Sequence, residues 1–548
     1  MSQHQFFRRS AVPQQVAQQI QTTTLPAPTR GIIQNENESY MQPGAAIICD
    51  NWKPTMKGVS LRGGCSRWAV LPETTPIISG FEYASGINLR MYFANATKIY
   101  DTTSATPVLV KSGQTSGNHV ASQMANQAGD WLLVVNDAGD PVLRFDGTSW
   151  ETLISGYVPP VGKPSTITGP VGTPVANGGA LVYVCKYRNR YFFIERNSMN
   201  AWYLPLNAVG GLLALIPLSG AATKGGKLLF CATWSIDAGD GIDDKLVFIT
   251  DLGEALIFTG SDPAVAANWR QEGRYNLSPP MGMNAHLAVG GDLLVATVDG
   301  ILPISGAITK DRAELELAAI TRTIKPMWRA EVNDKRALPW TMCKWDEYGA
   351  IFTTFPGGDP GKRYCLVTNA ATGAHARFVG WDVMCFARLR GDMYFGTQNG
   401  IVMLADRTGY DDGLTYTAVL VGGWEMFQSA SQTVTWRQAR ASFSARPGEP
   451  FIPQLSATTD YVVTLPTPPP AGADPGPLDL WDDGFWDDAL WDAEASPTPV
   501  IRNTGWVSIG VTGFSHAPVV QVTVGQVARP EVDLISIAAT YERDAITV

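Results

Sequence analysis

Between residues 76 and 410 one pattern of apolar and polar positions recurs. A run of about four apolar residues is followed by a turn of Asn, Asp or Gly and then by a second apolar run. The instances are MYFANATKIYD from Met91, LLVVNDAGDPVLRFDG from Leu132, YFFIERNSMNAWYL from Tyr191 and LVFITDLGEALIFTG from Leu246. LLVATVDGILPISG from Leu293, AIFTTFPGGDPGKRYCLV from Ala350 and MYFGTQNGIVMLAD from Met393 complete the set. Apolar runs flanking such turns predict β-hairpins. Their starts fall 40 to 60 residues apart, close to one four-stranded blade per repeat. That spacing predicts a β-propeller of about five to seven blades, with a string of hairpins in a large sandwich as the alternative. A Trp follows several hairpins (Trp150, Trp269, Trp381), as expected if an outer strand closes each blade.

The flanks differ. Residues 1–30 are rich in Gln, Thr and Pro and read as an extended arm that docks elsewhere, and 31–75 as an N-terminal β segment serving as a docking platform. Within the propeller, assigned to 76–410, the stretch Asp311 to Val332 has helical apolar spacing until Pro326 and reads as an inserted helix. After Asp411 longer strands are predicted in TYTAVLVGG, TVTWRQARASFSAR, DYVVTLP, GWVSIGVTGF, PVVQVTVGQ and LISIAATYER. They predict a C-terminal antiparallel β-sandwich over 411–548, interrupted by a Trp/Asp-rich loop at 466–498. The fold class expected is all-β.

Composition agrees: 54 glycines, 37 prolines and 17 tryptophans suit short strands joined by tight turns. The net charge of −9 and the scattered basic residues exclude a surface that grips DNA through its phosphates. An acidic surface suits nucleic acid sliding past without sticking. The seven cysteines are dispersed without a CxxC or Cys/His cluster, so they read as buried small hydrophobes in a reducing compartment. The N-terminal Arg pair is not followed by an apolar region, so no secretory leader is read. The run from Ala208 to Ala222 is too short and too interrupted by Gly and Pro to span a membrane.

Candidate chemistry is sparse. SGAATKGGK (Ser219 to Lys227) and PGGDPGKRY (Pro356 to Tyr364) both miss the phosphate-loop spacing. The acidic loop DAGDGIDD offers Asp237, Asp240, Asp243 and Asp244 as weak calcium ligands, although the EF-hand Glu is absent. The competing reading has these side chains capping backbone N–H groups. The five histidines fall in no nucleophile motif, and no cofactor is indicated. WDDGFWDDALWDA places Trp481, Trp486 and Trp491 five residues apart, a period that fits neither a helix face nor one side of a strand. It reads as consecutive turns pinned by indoles, for packing or subunit contact, ahead of metal binding or glycan stacking. Burying each ring is worth about 1.5–3 kcal/mol or more.

LPAPTRGI (Leu25 to Ile32) and AAIICDNWKPTMKGVSLRGG (Ala45 to Gly64) resemble the opening of tail proteins of short-tailed double-stranded DNA phages. AWYLPLNAVGG (Ala201 to Gly211), TWSIDAGDGIDDKLVFITDLGEALIFTGSDP (Thr233 to Pro263) and GGDLLVATVDGILPIS (Gly290 to Ser305) resemble the middle of the same group. The resemblance is to the tail nozzle, or tail hub, family of packaged-DNA stabilisation proteins. It implies propeller and sandwich domains in a homo-oligomer, a hexameric ring beneath the portal and adaptor. Such a virion ring, made in the host cytoplasm, carries tail fibres or spikes, holds the packaged genome and gives double-stranded DNA its exit. It implies no catalytic residue. The competing functions are a receptor- or glycan-binding propeller of a fibre or spike, and a propeller enzyme that degrades polysaccharide.

Overall fold

The structure is a computed structural model describing residues 20–235, 244–309, 312–336, 338–356, 363–427, 432–473 and 498–543. Among the described residues strands take 50% and helices 6%, which makes the protein all-β and a β-propeller. All seven hairpins form, and each supplies the second and third strands of a sheet.

Six sheets stand free as blades. The first four run from Ser79–Ser85 to Val108–Ser112, from His119–Asn126 to Trp150–Thr152, from Leu181–Tyr187 to Ala214–Pro217 and from Leu228–Trp234 to Trp269–Asn276. The fifth has three strands, His286–Val289, Asp292–Thr297 and Gly300–Pro303. The sixth, Cys385–Leu389 to Ile401–Thr408, is closed by Gly64–Val70 from the N-terminal region. Between the fifth and sixth, the run from Met342–Trp345 to His375–Val379 holds a place in the ring. One of its faces packs through Ile351 and Leu366 near Leu294 and Ile301, the other through Phe352 and Val367 near Phe386 and Phe395.

The local chemistry explains these hairpins. Second strands such as Arg190–Glu195 and Ala350–Thr354 are buried along their whole length because neighbouring sheets cover both faces. They therefore read as unbroken apolar runs rather than alternating ones. The turns Arg188–Asn189, Gly290–Gly291 and Arg390–Gly391 place both central residues at positive φ. That is the two-residue type I′ geometry that follows strand twist.

Several boundaries differ from those the sequence predicts. Trp150 and Trp269 begin fourth strands, but Trp381 lies on no strand; it is buried between the shared run and the sixth blade, stacked with Phe395 at 5.3 Å. The inserted helix is three short helices, Ile304–Thr309, Arg312–Ala318 and Lys325–Lys335, with a 3-10 turn at Ile320–Ile324. Pro326 sits in the first turn of the last helix, where its missing N–H costs no bond. This segment fills the side where the fifth blade lacks a fourth strand: Thr321 Oγ1 accepts from the Ile301 amide at 3.0 Å, and Trp328 Nε1 donates to the Thr297 carbonyl at 3.0 Å. DYVVTLP forms no long strand because Asp460 and Tyr461 both adopt positive φ, and the preceding Pro453–Thr459 takes the edge position.

The two terminal regions are not units apart. Of the arm read over 1–30, residues 1–19 lie outside the described residues, and Gln21–Pro26 pairs antiparallel with Val532–Arg543 of the same chain. The segment 31–75 supplies strands to three sheets. Ala46–Asp50 joins His375–Val379 to Tyr416–Gly422, so one eight-stranded sheet runs from the propeller through His516–Val524 to Pro453–Thr459. A seven-stranded sheet centred on Val434–Ala445 and Val532–Arg543 shares a core with it in a sandwich-like arrangement. Leu420, Val520 and Val522 meet Trp436, Phe443 and Ile537 there.

Arg62 sits where these parts meet and is fully buried. Its guanidinium donates to both carboxylate oxygens of Asp411 (2.9 and 2.6 Å), to Asn51 Oδ1 (2.8 Å) and to the carbonyls of Gly63 and Val379 (both 2.9 Å). Its flat face lies 4.0 Å from the Tyr416 ring centroid. A bidentate pair with every remaining donor satisfied is the condition under which burying charge is tolerated. Arg62→Met, which takes the charged partner from the half-buried Asp411 carboxylate, is expected to cost about 3 kcal/mol in a urea titration. Arg62→Met/Asp411→Leu is expected to recover part of that loss, because no lone charge remains.

Candidate functional site

The first strand of every sheet in the ring faces the propeller axis, where two adjoining cavities lie. One, of about 270 Å³, is lined by Ser79, Phe81, His119, Tyr183, Asn284 and Cys343 among others. The second, of about 390 Å³, is lined by Ser122, Tyr183, Cys185, Cys231, Thr233 and His286 among others. Strands converge tightly here: a Cβ on Gly80 would stand 2.6 Å from the Phe386 carbonyl oxygen, so the position tolerates only glycine without movement.

Lys186 brings one cationic side chain to the second cavity; the histidines on this axis are neutral. His119 Nδ1 lies 3.0 Å from the Gly117 carbonyl, which can only accept, so Nδ1 carries the proton. Its Nε2 is buried and has no hydrogen-bond partner. His286 Nε2 is hydrogen-bonded to the Tyr183 hydroxyl at 3.0 Å, and the ring stacks on Phe230 with centroids 4.2 Å apart. Burial pushes both imidazoles down to about 4. Asn284 Nδ2 donates to Asn118 Oδ1 at 2.9 Å. No Asp or Glu is among the residues lining either cavity, so the carboxylate pair used in glycoside hydrolysis is not assembled there. The axis can hold a small molecule.

Elsewhere the predicted sites separate. Trp481, Trp486 and Trp491, and Asp237, Asp240 and Asp243, lie outside the described residues. Asp244 is buried; its carboxylate accepts from the Ser235 hydroxyl and its carbonyl from the Tyr187 hydroxyl at 2.8 Å. Among the described residues no cluster of three or more His, Cys, Asp or Glu could hold a metal ion, and no helix is long and apolar enough to cross a membrane. The Gly-rich loop SGAATKGGK does bind an anion, but an internal one. The Thr223 and Lys224 amides (3.1 and 2.8 Å) and the Thr223 hydroxyl (2.6 Å) donate to Glu254, a fully buried carboxylate. Burial opposes its ionisation, yet these bonds hold its carboxyl below the ordinary value. PGGDPGKRY falls in the hairpin connection between Ala350–Thr354 and Tyr364–Asn369, with residues 357–362 outside the described set.

One juxtaposition escaped the sequence pattern. Cys185 and Cys231 stand on the first strands of the third and fourth blades, their Sγ atoms 2.9 Å apart. The signal was present in register: YVCKY and LFCATW carry cysteine at the matching place of successive repeats.

No protein-family model matches the chain, and no curated protein matches it. Among solved structures it is similar to YCF48 from Cyanidioschyzon merolae, at 9% identity over 62% of this chain and 98% of that one, with a TM-score of 0.34. It is also similar to the extracellular domains of two candidate hybrid two component systems from B. thetaiotaomicron. For BT4673 the identity is 8%, over 73% of this chain and 44% of that one (TM-score 0.38). For BT3049 it is 10%, over 67% and 44% (TM-score 0.39). The chain thus spans under half the length of those two. At these scores the likenesses carry no functional argument, and the propeller rests on the chain's own sheet pairing.

The histidines make a pH prediction. His119, His286 and His375 are all held near 4 by burial, against an ordinary value of 6.5. The unfolded chain therefore binds more protons than the folded one between those limits. The stability that this supplies is fully present above pH 6.5 and is lost as pH falls towards 4. Near pH 5, unfolding should take up about three protons through these groups, with His119→Gln removing about one; calorimetry in buffers of different ionisation enthalpy measures the uptake.

Proposed function

We propose that the chain is a structural protein of a short phage tail, forming a ring-shaped nozzle or hub that retains packaged DNA and gives it passage on ejection. The observation that carries this reading is the eight-stranded sheet running unbroken from the propeller into the sandwich-like body. It makes a stiff all-β piece suited to bearing load, in line with the resemblance of Leu25 to Ile32 and Thr233 to Pro263 to tail nozzle proteins. Its overall charge of −9 suits a wall that DNA passes without adhering.

The propeller's own axis is not the conduit. Cavities of about 270 and 390 Å³ admit a small molecule, not a duplex. A lumen for DNA has to lie between copies, arranged by a heterologous interface that closes by rotation. The proposed partners are therefore other copies of the chain, six in the full ring, then the portal and adaptor above and fibres or spikes at the side. The connection between the second and third blades offers apolar contact surface, since Val158, Val161 and Val171 are exposed there at 84%, 107% and 101%. Arg144, fully buried, holds this connection in place through the carbonyls of Pro164 (2.8 Å) and Ser165 (2.9 Å). No residue is assigned a catalytic role.

Negative-stain imaging of the purified chain, alone and with portal and adaptor, tests the reading. Six-fold rings or extensions of the portal are expected, weakened by Val161→Asp/Val171→Asp. A monomer that binds neither partner refutes the proposal. Specific capture on a glycan array, or depolymerase activity, would transfer the assignment to a receptor-binding or a polysaccharide-degrading propeller.

A further inference from the structure

We propose that Cys185 and Cys231 form an oxidisable pair that closes into a disulfide between the third and fourth blades. The two thiols are separated by 46 residues of sequence, yet their sulfurs lie 2.9 Å apart. Two non-bonded sulfurs do not normally approach so closely, and a disulfide needs them at about 2.05 Å, a small further movement. The strands that carry them, Leu181–Tyr187 and Leu228–Trp234, belong to different sheets and share no backbone ladder. The blades are joined at this point by side-chain contacts, among them the Thr233 hydroxyl donating to the Lys186 carbonyl at 2.9 Å, so a covalent bond there adds a restraint of a different kind.

Access and selectivity fit a modification site. Both cysteines line the cavity of about 390 Å³ on the propeller axis, alongside Ser122 and Thr233. Cys185 is half-buried, whereas Cys231 is fully buried. A small oxidant entering the cavity meets Cys185 first. The other five cysteines are engaged differently. Cys49, Cys343, Cys365 and Cys385 point their sulfurs at backbone carbonyls, of Trp52, Lys344, Thr353 and Ile77 respectively. Cys65 lies 3.7 Å from a carboxylate oxygen of Asp411. Burial pushes the Cys231 thiol well above its ordinary value, which keeps it from reacting with the oxidant first; its role as the second thiol rests on its 2.9 Å contact with Cys185.

With a peroxide as oxidant the chemistry closes. The Cys185 sulfur attacks one peroxide oxygen, the O–O bond breaks, and the departing hydroxide leaves as water with the thiol proton. The resulting sulfenic acid is attacked at sulfur by Cys231; the S–O bond breaks and a second water leaves with the Cys231 proton. Two thiols and one hydrogen peroxide give one disulfide and two waters, with two electrons passing to the peroxide.

The test uses the full chain, folded, exposed to hydrogen peroxide and then alkylated with iodoacetamide under denaturing conditions. Non-reducing peptide mapping is expected to show a Cys185–Cys231 cross-linked peptide two hydrogens lighter, with the other five cysteines alkylated. The oxidised protein should melt a few degrees higher than the reduced one, a gain that dithiothreitol reverses and that Cys185→Ser abolishes. Cys231→Ser should instead leave Cys185 as a sulfenic acid that dimedone traps. The mapping on the unmodified chain stands even if a variant folds poorly. Recovery of both cysteines alkylated, or of Cys185 as sulfinic acid without cross-link, overturns the proposal.

Discussion

The buried Arg62–Asp411 pair is the contact on which the architecture turns. Arg62 comes from the N-terminal region, Asp411 from the end of the propeller, and the Val379 carbonyl from the edge of the shared run. Tyr416, which begins the first strand beyond the propeller, stacks on the guanidinium and donates its hydroxyl to the Arg62 carbonyl. Trp381 donates to the same Asp411 carboxylate at 3.2 Å. Removing either charge leaves the other without its partner at a largely buried junction, so this ion pair couples the strand that closes the sixth blade to the sheet that leaves the propeller, beside their backbone ladders and the Arg377–Asp50 pair.

That coupling bears on the proposed role. A ring that holds DNA under pressure is loaded across the junctions within each subunit as well as between subunits. Here the junction is Ala46–Asp50, which bridges to the propeller run at Asp50–Arg377 and pairs along Tyr416–Gly422. The same constraint puts the axis of the propeller beyond use as a channel, since the first strands close on it around neutral His119, His286 and Tyr183. Under the proposed role, passage of DNA would be a property of the assembly, to which the subunit would contribute shape and stiffness.

The sequence made some of this legible and hid the rest for physical reasons. Second and third strands are covered on both faces, so all seven hairpins stood out as apolar runs. First strands such as His119–Asn126 line a cavity and mix polar with apolar residues, which left the axis unmarked. Gly64–Val70 lies more than 300 residues from its partner Ile401–Thr408, and no local pattern reports such pairing. The same distance concealed the Arg62 contact and made 31–75 look like a unit apart. DYVVTLP looked like a strand because β-branched residues outweighed a turn that only its backbone angles disclose. The Cys185–Cys231 contact became visible only when two successive blades were set side by side. Asp244 proved to be tied to Ser235 and Tyr187, while its three acidic neighbours and the tryptophans from Trp481 to Trp491 remain outside the described residues.

The central claim is that propeller and sandwich-like body form one cooperative unit through the shared sheet and the Arg62 pair. Differential scanning calorimetry of the reduced chain tests it most directly. The account predicts a single transition whose calorimetric and van't Hoff enthalpies agree. Two resolved transitions, one of them insensitive to Arg62→Met, would contradict it.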